Sequence, residues 1–313
     1  MTTRTAPVTI RGLPKGLWVI FLLLSFVSGG SLLAQGKKDE EDPRLEARPV
    51  TLKTKDGMEL RAFYFPSDKE KSATTVLLVH EWKGQASPYY KLVLALNKAG
   101  CAVIAPDYRG HGGSKEYLNV RGEKAELDPD KMSRKEVEAI VAMDLEKTKG
   151  FLKKENNDGY LNLNALVVVG IGEGCVLGNL WAMRDWSFPS LGSVKQGQDV
   201  KGLVMISPEK QLKGLAMEPA LNDLNLLQLP ILIVAGEGST QAGEARRMAS
   251  RIEARKKRVG RGDVSGLNVE MLDSDLANAA LVTQVKEAIP AIVSFVTTEI
   301  KGNDTKYPWV ERK

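Results

Sequence analysis

The sequence LVVVGIGEG, residues 166 to 174, joins an apolar run to a glycine-rich turn. Leu166 to Val169 form an unbroken apolar run, which is typical of a strand buried on both faces of a parallel sheet. The turn Gly170-Ile171-Gly172-Glu173-Gly174 follows at once and opens a segment of small, helix-compatible residues. A strand that passes through a tight turn into a helix is the repeating unit of an α/β fold.

Strands and helices alternate on both sides of this turn. Thr74 to Val79 and Ala102 to Ala105 are continuous apolar strands, and Ser133 with Glu136 forms a capping box before a long amphipathic helix. Further elements of the same pattern are predicted at residues 174–183, 203–206, 231–235, 242–255, 267–272 and 282–300. We therefore predict a doubly wound, mostly parallel sheet that carries an antiparallel N-terminal hairpin around Asp56-Gly57. The segment between Ser207 and Pro230, about twenty residues, is too short for a large cap domain.

The first 34 residues have the order of a secretory signal peptide. Three basic residues precede an apolar run at residues 17–27, and Gly29-Gly30-Ser31 and the small residue Ala34 follow it. We expect cleavage after Ala34 and a periplasmic or secreted protein. An uncleaved N-terminal membrane anchor is the alternative, because residues 16–34 are nearly long enough to span a bilayer. We predict an exposed, charge-rich linker at residues 35–48, a folded domain at 49–300 and a C-terminal tail at 301–313.

The charge balance gives no reason to expect a polyanionic partner. The formal net charge is +5, and three of the basic residues belong to the predicted leader. We predict no nucleic-acid binding, and membrane contact only if the leader is retained. Cys101 begins a strand and Cys175 a helix, so both are interpreted as small buried residues rather than a disulfide.

Three motifs at the predicted strand ends carry a family resemblance. They are Asp56-Gly57-Met58-Glu59-Leu60, Val79-His80-Glu81-Trp82-Lys83-Gly84 and Pro106-Asp107-Tyr108-Arg109-Gly110-His111-Gly112-Gly113-Ser114. With them the chain resembles the α/β-hydrolase superfamily from about Val50 to Val296. The most similar members are the dienelactone-hydrolase-like and serine-aminopeptidase-like proteins, which implies an α/β-hydrolase fold.

The resemblance also implies where a catalytic triad would lie. It places Gly172 at the position of the nucleophile, Ser239 at that of the acid and Ala277 at that of the histidine, and no histidine follows His111. Without these groups, acyl transfer by the family's mechanism is not expected. We therefore predict a non-catalytic binding or scaffolding relative of esterases and peptidases, with an unidentified small molecule or protein as its ligand.

The resemblance further implies an oxyanion hole formed by backbone N–H groups of the His80-Glu81 turn and of Glu173. Trp82 is a further candidate pocket residue. Two carboxylates, Glu173 and Glu237, follow strands of the predicted sheet. A second hypothesis is therefore a hydrolase of ester-like or peptide-like substrates in which one of these carboxylates activates water with help from His80.

Other chemistry is not expected at the two histidines or at the glycine turn. The resemblance implies that His80 and His111 are mainly structural, and without a spaced third ligand they give no basis for predicting a metal. The glycine turn is similar to a phosphate-binding turn, but Cys175 replaces the last glycine and Glu173 would repel an anion. We predict no cofactor.

Overall fold

A computed structural model describes residues 43–118, 122–189, 195–260, 264–302 and 305–312. These residues belong to one compact unit, Glu41–Lys313. The predicted leader at residues 1–34 and the first part of the predicted linker lie outside the described residues.

The described residues build an eight-stranded sheet that is parallel except at one edge. The strands of the whole structure, in chain order, are β1 (Arg48–Lys53), β2 (Glu59–Phe65), β3 (Thr74–Val79), β4 (Cys101–Pro106), β5 (Glu116–Leu118), β6 (Lys124–Glu126), β7 (Asn162–Ile171), β8 (Val200–Ile206), β9 (Gln211–Leu212), β10 (Leu215–Ala216), β11 (Ile231–Gly236) and β12 (Leu267–Leu272). The large sheet has the order β1-β2-β4-β3-β7-β8-β11-β12, and β5-β6 and β9-β10 form two small hairpins. Both small hairpins are antiparallel, and within the described part of the large sheet the antiparallel pairs are β1 with β2 and β2 with β4. The predicted doubly wound sheet with an antiparallel hairpin is confirmed.

Helices cover both faces of this sheet. They are α1 (Tyr90–Lys98), α2 (Arg134–Ala139), α3 (Leu145–Asn157), α4 (Gly174–Ser187), α5 (Glu218–Leu221), α6 (Ala242–Val259), α7 (Asn278–Gln284) and α8 (Ala288–Glu299). Within the described ranges, no single helix has the length and apolar composition of a membrane span, although α7 and α8, bent by 90° at their junction, pass such a test as a pair.

Two helices predicted as continuous are interrupted. The capping box forms as predicted, because the Ser133 hydroxyl accepts a bond from the Glu136 N–H and the Glu136 carboxylate accepts one from the Ser133 N–H. Beyond it a π turn, Ile140–Asp144, separates α2 from α3. The helix predicted at residues 282–300 is likewise divided into α7 and α8, since Pro290 lacks an N–H and is tolerated only in the first turn of a new helix.

The core fills both faces of the sheet, and glycines bring α4 close to it. Trp181 is fully buried on one face, and Leu92 of α1 is fully buried on the other. A Cβ at Gly178 would lie 2.8 Å from Val168 Cγ1, and one at Gly174 would lie 2.3 Å from the carbonyl oxygen of His80. Since real Cβ atoms do not approach so closely, Gly174 lets the start of α4 lie against the end of β3, and Gly178 lets the same helix lie against β7.

The C-terminal segment lies along a row of asparagines. The side-chain amides of Asn162, Asn164 and Asn156 donate bonds of 2.9, 2.8 and 3.0 Å to successive backbone carbonyls of the segment, those of Tyr307, Pro308 and Val310. The sequence alone predicts a C-terminal tail at residues 301–313 without any structure. The bonds from asparagine amides to backbone carbonyls could not be predicted, because they join segments that are distant in sequence.

Candidate functional site at the carboxyl edge of the sheet

Gly172 occupies a sharp strand-to-helix turn between β7 and α4. Its φ is +55°, in the left-handed region that favours glycine, and its N–H donates a 2.9 Å bond to the Ile206 carbonyl. A Cβ added here would lie 3.0 Å from Asn278 Oδ1 and 3.0 Å from Glu81 Cβ. Gly172 thus lies in a sharp turn with left-handed backbone and has no side chain, and the space that a Cβ would take is bounded by Asn278 and Glu81.

The loop after β12 brings Asn278 to this turn. Asn278 has a φ of +51°, which asparagine tolerates better than most residues, and its N–H donates a 2.9 Å bond to Ser207 Oγ. The side-chain oxygen of Asn278 is buried and has no hydrogen-bond partner among the described residues. Asn278 directly follows Ala277, the residue that the resemblance places at the position of the histidine, and its side-chain oxygen is the one that would lie 3.0 Å from a Cβ at Gly172.

Two polar side chains in the loop after β11 have partners close to them in sequence. The Ser239 hydroxyl donates a 2.7 Å bond to the Gly236 carbonyl within its own turn. The Glu237 side chain is 61% exposed and forms an ion pair with Arg246 at 2.9 Å. Both residues therefore have local partners, and neither is placed beside Gly172 by a contact with it.

Two carboxylates lie above the turn, and each is bonded to a donor of the chain itself. The Tyr89 hydroxyl donates to the Glu81 carboxylate. Burial raises the pKa of Glu81, and the nearby charge of Glu173 raises it further despite that bond. Glu173 Oε2 accepts a 3.3 Å bond from the backbone N–H of Trp82. A backbone donor in the turn that follows His80 is thus occupied by the chain's own carboxylate.

The two histidines meet in an aromatic cluster beneath these carboxylates. His80 stacks on Tyr108 with ring centroids 4.2 Å apart, and His111 lies 5.5 Å from His80 and 4.5 Å from Trp82. Nδ1 of His80 bonds to the Glu81 carbonyl at 2.8 Å, and Nδ1 of His111 bonds to the Arg109 carbonyl at 2.9 Å. Because a carbonyl only accepts, each Nδ1 carries a proton in this arrangement.

Burial keeps both imidazoles neutral. It lowers the pKa of His80 to about 4 and that of His111 to about 4. Each Nε2 is buried without a hydrogen-bond partner in the described part of the chain. Across all the residues that the structure describes, no group of three His, Cys, Asp or Glu side chains is arranged to hold a metal.

A buried ion network that the sequence did not reveal supports this cluster. Arg109 is 5% exposed and contacts Asp144 at 2.6 Å and Asp56 at 2.7 Å. Burial alone would lower the pKa of Arg109, but the hydrogen bonds that its guanidinium donates to the two aspartates, and their negative charge, outweigh burial and raise that pKa. Asp144 is the last residue of the π turn, and this irregular helical segment places its carboxylate beside the loop that contains Arg109. The sequence signal for this contact is a polar residue on an otherwise apolar helix face.

The cysteines do not supply a replacement nucleophile. Cys101 and Cys175 are both buried and free. Burial raises the pKa of the Cys101 thiol to about 12 and also raises that of Cys175. Both therefore remain thiols at neutral pH, whereas the reactive form is the thiolate.

Solved structures with similar folds are esterases and other hydrolases. The esterase Pf2001 of Pyrococcus furiosus superposes with a TM-score of 0.56 at 17% identity, covering 82% of this chain and 92% of that one. A predicted CIB-like hydrolase of Thermoplasma acidophilum gives 0.53 at 15%, covering 80% and 98%. The chain has the α/β-hydrolase fold. A fungal esterase of Rhizomucor miehei, with a TM-score of 0.54 at 15% identity over 81% and 83% of the two chains, shares the α/β-hydrolase fold too.

Sequence comparisons reach less far. No family model matches the chain. Two uncharacterized proteins from two strains of Mycobacterium tuberculosis are each 39% identical over 75 residues, which is 24% of this chain and 27% of each relative. The chain thus matches about a quarter of the length of these relatives, and the structural likeness, at identities below 25%, shows the fold alone.

Proposed function

We propose that this α/β-hydrolase-fold protein is a non-catalytic binding or scaffolding relative of esterases. One observation carries the proposal: at the turn where such a fold places its nucleophile stands Gly172, crowded by Asn278 and Glu81. A serine triad needs a nucleophile, a base to deprotonate it and an oriented acid. In our proposal Gly172, Asn278 and Ser239 stand at these positions, and the Glu173 carboxylate occupies a backbone donor that would bind an oxyanion.

Export is part of the proposal. The basic, apolar and small-residue order of residues 1–34 supports a cleaved signal peptide. Expression in a bacterial host followed by mass determination of the mature protein tests it. A chain that begins at Gln35 is expected, and a full-length chain in the membrane fraction would support the anchor instead.

Covalent labelling tests the missing nucleophile. Intact mass is measured after incubation with an excess of a fluorophosphonate, which reacts with activated serines. We expect no adduct on the native protein and one adduct on an active serine esterase treated in parallel. A stoichiometric adduct that protects against further labelling, at any serine near His80 or His111, would overturn the proposal.

A hydrolase that uses a carboxylate is the second candidate, and Glu81 is the residue that favours it. Its raised pKa moves it towards the range of a general base, and Glu173 lies close enough to contribute to that shift. This candidate predicts ester hydrolysis that withstands fluorophosphonate but is lost in Glu81→Gln. Hydrolysis that is unchanged in both Glu81→Gln and Glu173→Gln would dispose of it.

A further inference from the structure

A cavity of about 550 Å³ lies away from the Gly172 turn, between the turn after β1 and the helices α3 and α4. It is lined by Lys53, Thr54, Lys55, Ala142, Met143, Glu146, Lys147, Gly150, Arg184 and Phe188. This volume falls in the range of cavities that hold small organic ligands. None of the residues assigned to the Gly172 site lines it.

Part of the lining is apolar and comes from an irregular segment. Ala142 and Met143 belong to the π turn, and Phe188 follows α4 directly. A π turn displaces side chains from a regular helix and is frequent at functional sites. Ala142 is exposed, and Met143 and Phe188 are half-buried, so an apolar ligand could remove their surfaces from water.

The rim of this cavity is positively charged. Lys53, Lys55 and Lys147 are exposed, and none of them forms an ion pair with a carboxylate in the part of the chain that the structure describes. The fourth cation, Arg184, approaches Glu146 at 3.6 Å. A cavity with four cations and one carboxylate favours an anion at its mouth.

Gly150 leaves the cavity unfilled, and as a glycine within α3 it lowers the stability of that helix. It lies inside that helix, where glycine is about 1 kcal/mol less favourable than alanine. A Cβ at this position would meet no heavy atom within 4 Å, so packing within the protein does not require glycine. A side chain here would project into the cavity that Gly150 lines.

We propose that this cavity binds an amphipathic organic anion, a molecule with an apolar acyl chain and a carboxylate head. The acyl chain contacts Ala142, Met143 and Phe188, and the carboxylate lies among Lys53, Lys55 and Lys147. This site is independent of the Gly172 turn and does not rest on the absence of hydrolysis there.

Fluorescence titration with dansyl-aminoundecanoate, an acyl-chain carboxylate, tests the proposal. The native protein is expected to give saturable enhancement of emission. Lys147→Glu should weaken binding about fivefold, as expected for reversing one exposed charge near the head group. Gly150→Leu should weaken it more than tenfold by filling the cavity, while its urea midpoint stays equal to or above that of the native protein, because leucine is the better helix former.

Two matched controls separate this site from general attraction. Lys98→Glu makes the same charge change on α1, which packs on the other sheet face, and should leave the dissociation constant unchanged. The methyl ester of the probe lacks the charge and should bind equally to the native protein and to Lys147→Glu. Absence of saturable binding, unchanged binding in Gly150→Leu, or equal weakening by Lys98→Glu and Lys147→Glu would each overturn the proposal.

Discussion

The turn at Gly172 and the cavity at the π turn differ in whether their charged side chains have partners within the chain. At the turn, Glu173 accepts a bond from the Trp82 N–H and Glu81 accepts one from the Tyr89 hydroxyl, so the carboxylates are bonded within the chain. At the cavity, exposed lysines lie around an apolar lining without carboxylate partners among the described residues. The carboxylates at the Gly172 turn are thus bonded within the chain, whereas the lysines around the cavity are left for an external anion.

The largest expected effect is on stability and concerns the ion network of Arg109. This network links the two regions, because Asp144 is the last residue of the π turn and Arg109 lies in the same loop as His111. Arg109→Ala leaves Asp144 buried without its cation and should lower the free energy of unfolding by about 3–5 kcal/mol. Urea denaturation measures it. Arg246→Ala removes an exposed ion pair with Glu237 and should cost less than about 1 kcal/mol; equal losses would contradict the structural role of Arg109.

The next effect is a pH dependence of stability that belongs to the aromatic cluster. Both histidines have a pKa of about 4 in the fold and about 6.5 in the unfolded chain, so the unfolded state binds more protons between these values. The stability that the neutral histidines contribute should be fully present well above pH 6.5 and should fall with acidification, by roughly 1.5 kcal/mol per histidine between pH 6.5 and pH 5.

His111→Asn provides the comparison, because its amide can still donate to the Arg109 carbonyl but does not titrate. The difference in stability between the native protein and this variant also cancels the contribution of Glu81, whose raised pKa acts in the opposite direction. Parallel stability curves for the two proteins from pH 7 to pH 5 would show that His111 is not held neutral by burial.

A pair of glycine substitutions sharpens the contrast between the filled turn and the open cavity. Gly172→Ala places a Cβ at a φ of +55° and 3.0 Å from two side-chain atoms, and should cost about 1–2 kcal/mol. Gly150→Ala enters open space in a helix and should stabilise the fold by up to about 1 kcal/mol. Thermal unfolding of the two variants side by side checks the signs, and the same sign for both would contradict the contrast.

The smallest expected signal is recovery of labelling in a rebuilt triad. Gly172→Ser with Asn278→His places a hydroxyl and an imidazole on neighbouring loops, and should give slow labelling by a fluorophosphonate, while Gly172→Ser with Ala277→His should not. Intact mass over several hours distinguishes the two double variants. Faster labelling of the Ala277 variant would contradict this expectation and would support Ala277 as the position of the histidine.

Much of the fold could be predicted from local patterns, because buried parallel strands are continuous apolar runs and Ser133 with Glu136 marks a helix start. The sequence also shows directly that residue 172 is glycine and that no histidine follows His111. What could not be predicted depends on the folded chain: the π turn and the contact of its Asp144 with Arg109, the Glu173 bond to Trp82, and the approach of Asn278 to Gly172. The three contacts join segments that are distant in sequence, and the periodicity of apolar residues carries no signal for them.

The central claim is that the Gly172 turn performs no hydrolysis, and the initial rate with p-nitrophenyl butyrate tests it most directly. The rate is measured for the native protein and for Glu81→Gln across pH 6 to pH 9, against buffer alone. We predict that both proteins match the buffer rate at every pH. A rate above the buffer rate that saturates with substrate and disappears in Glu81→Gln would contradict the account.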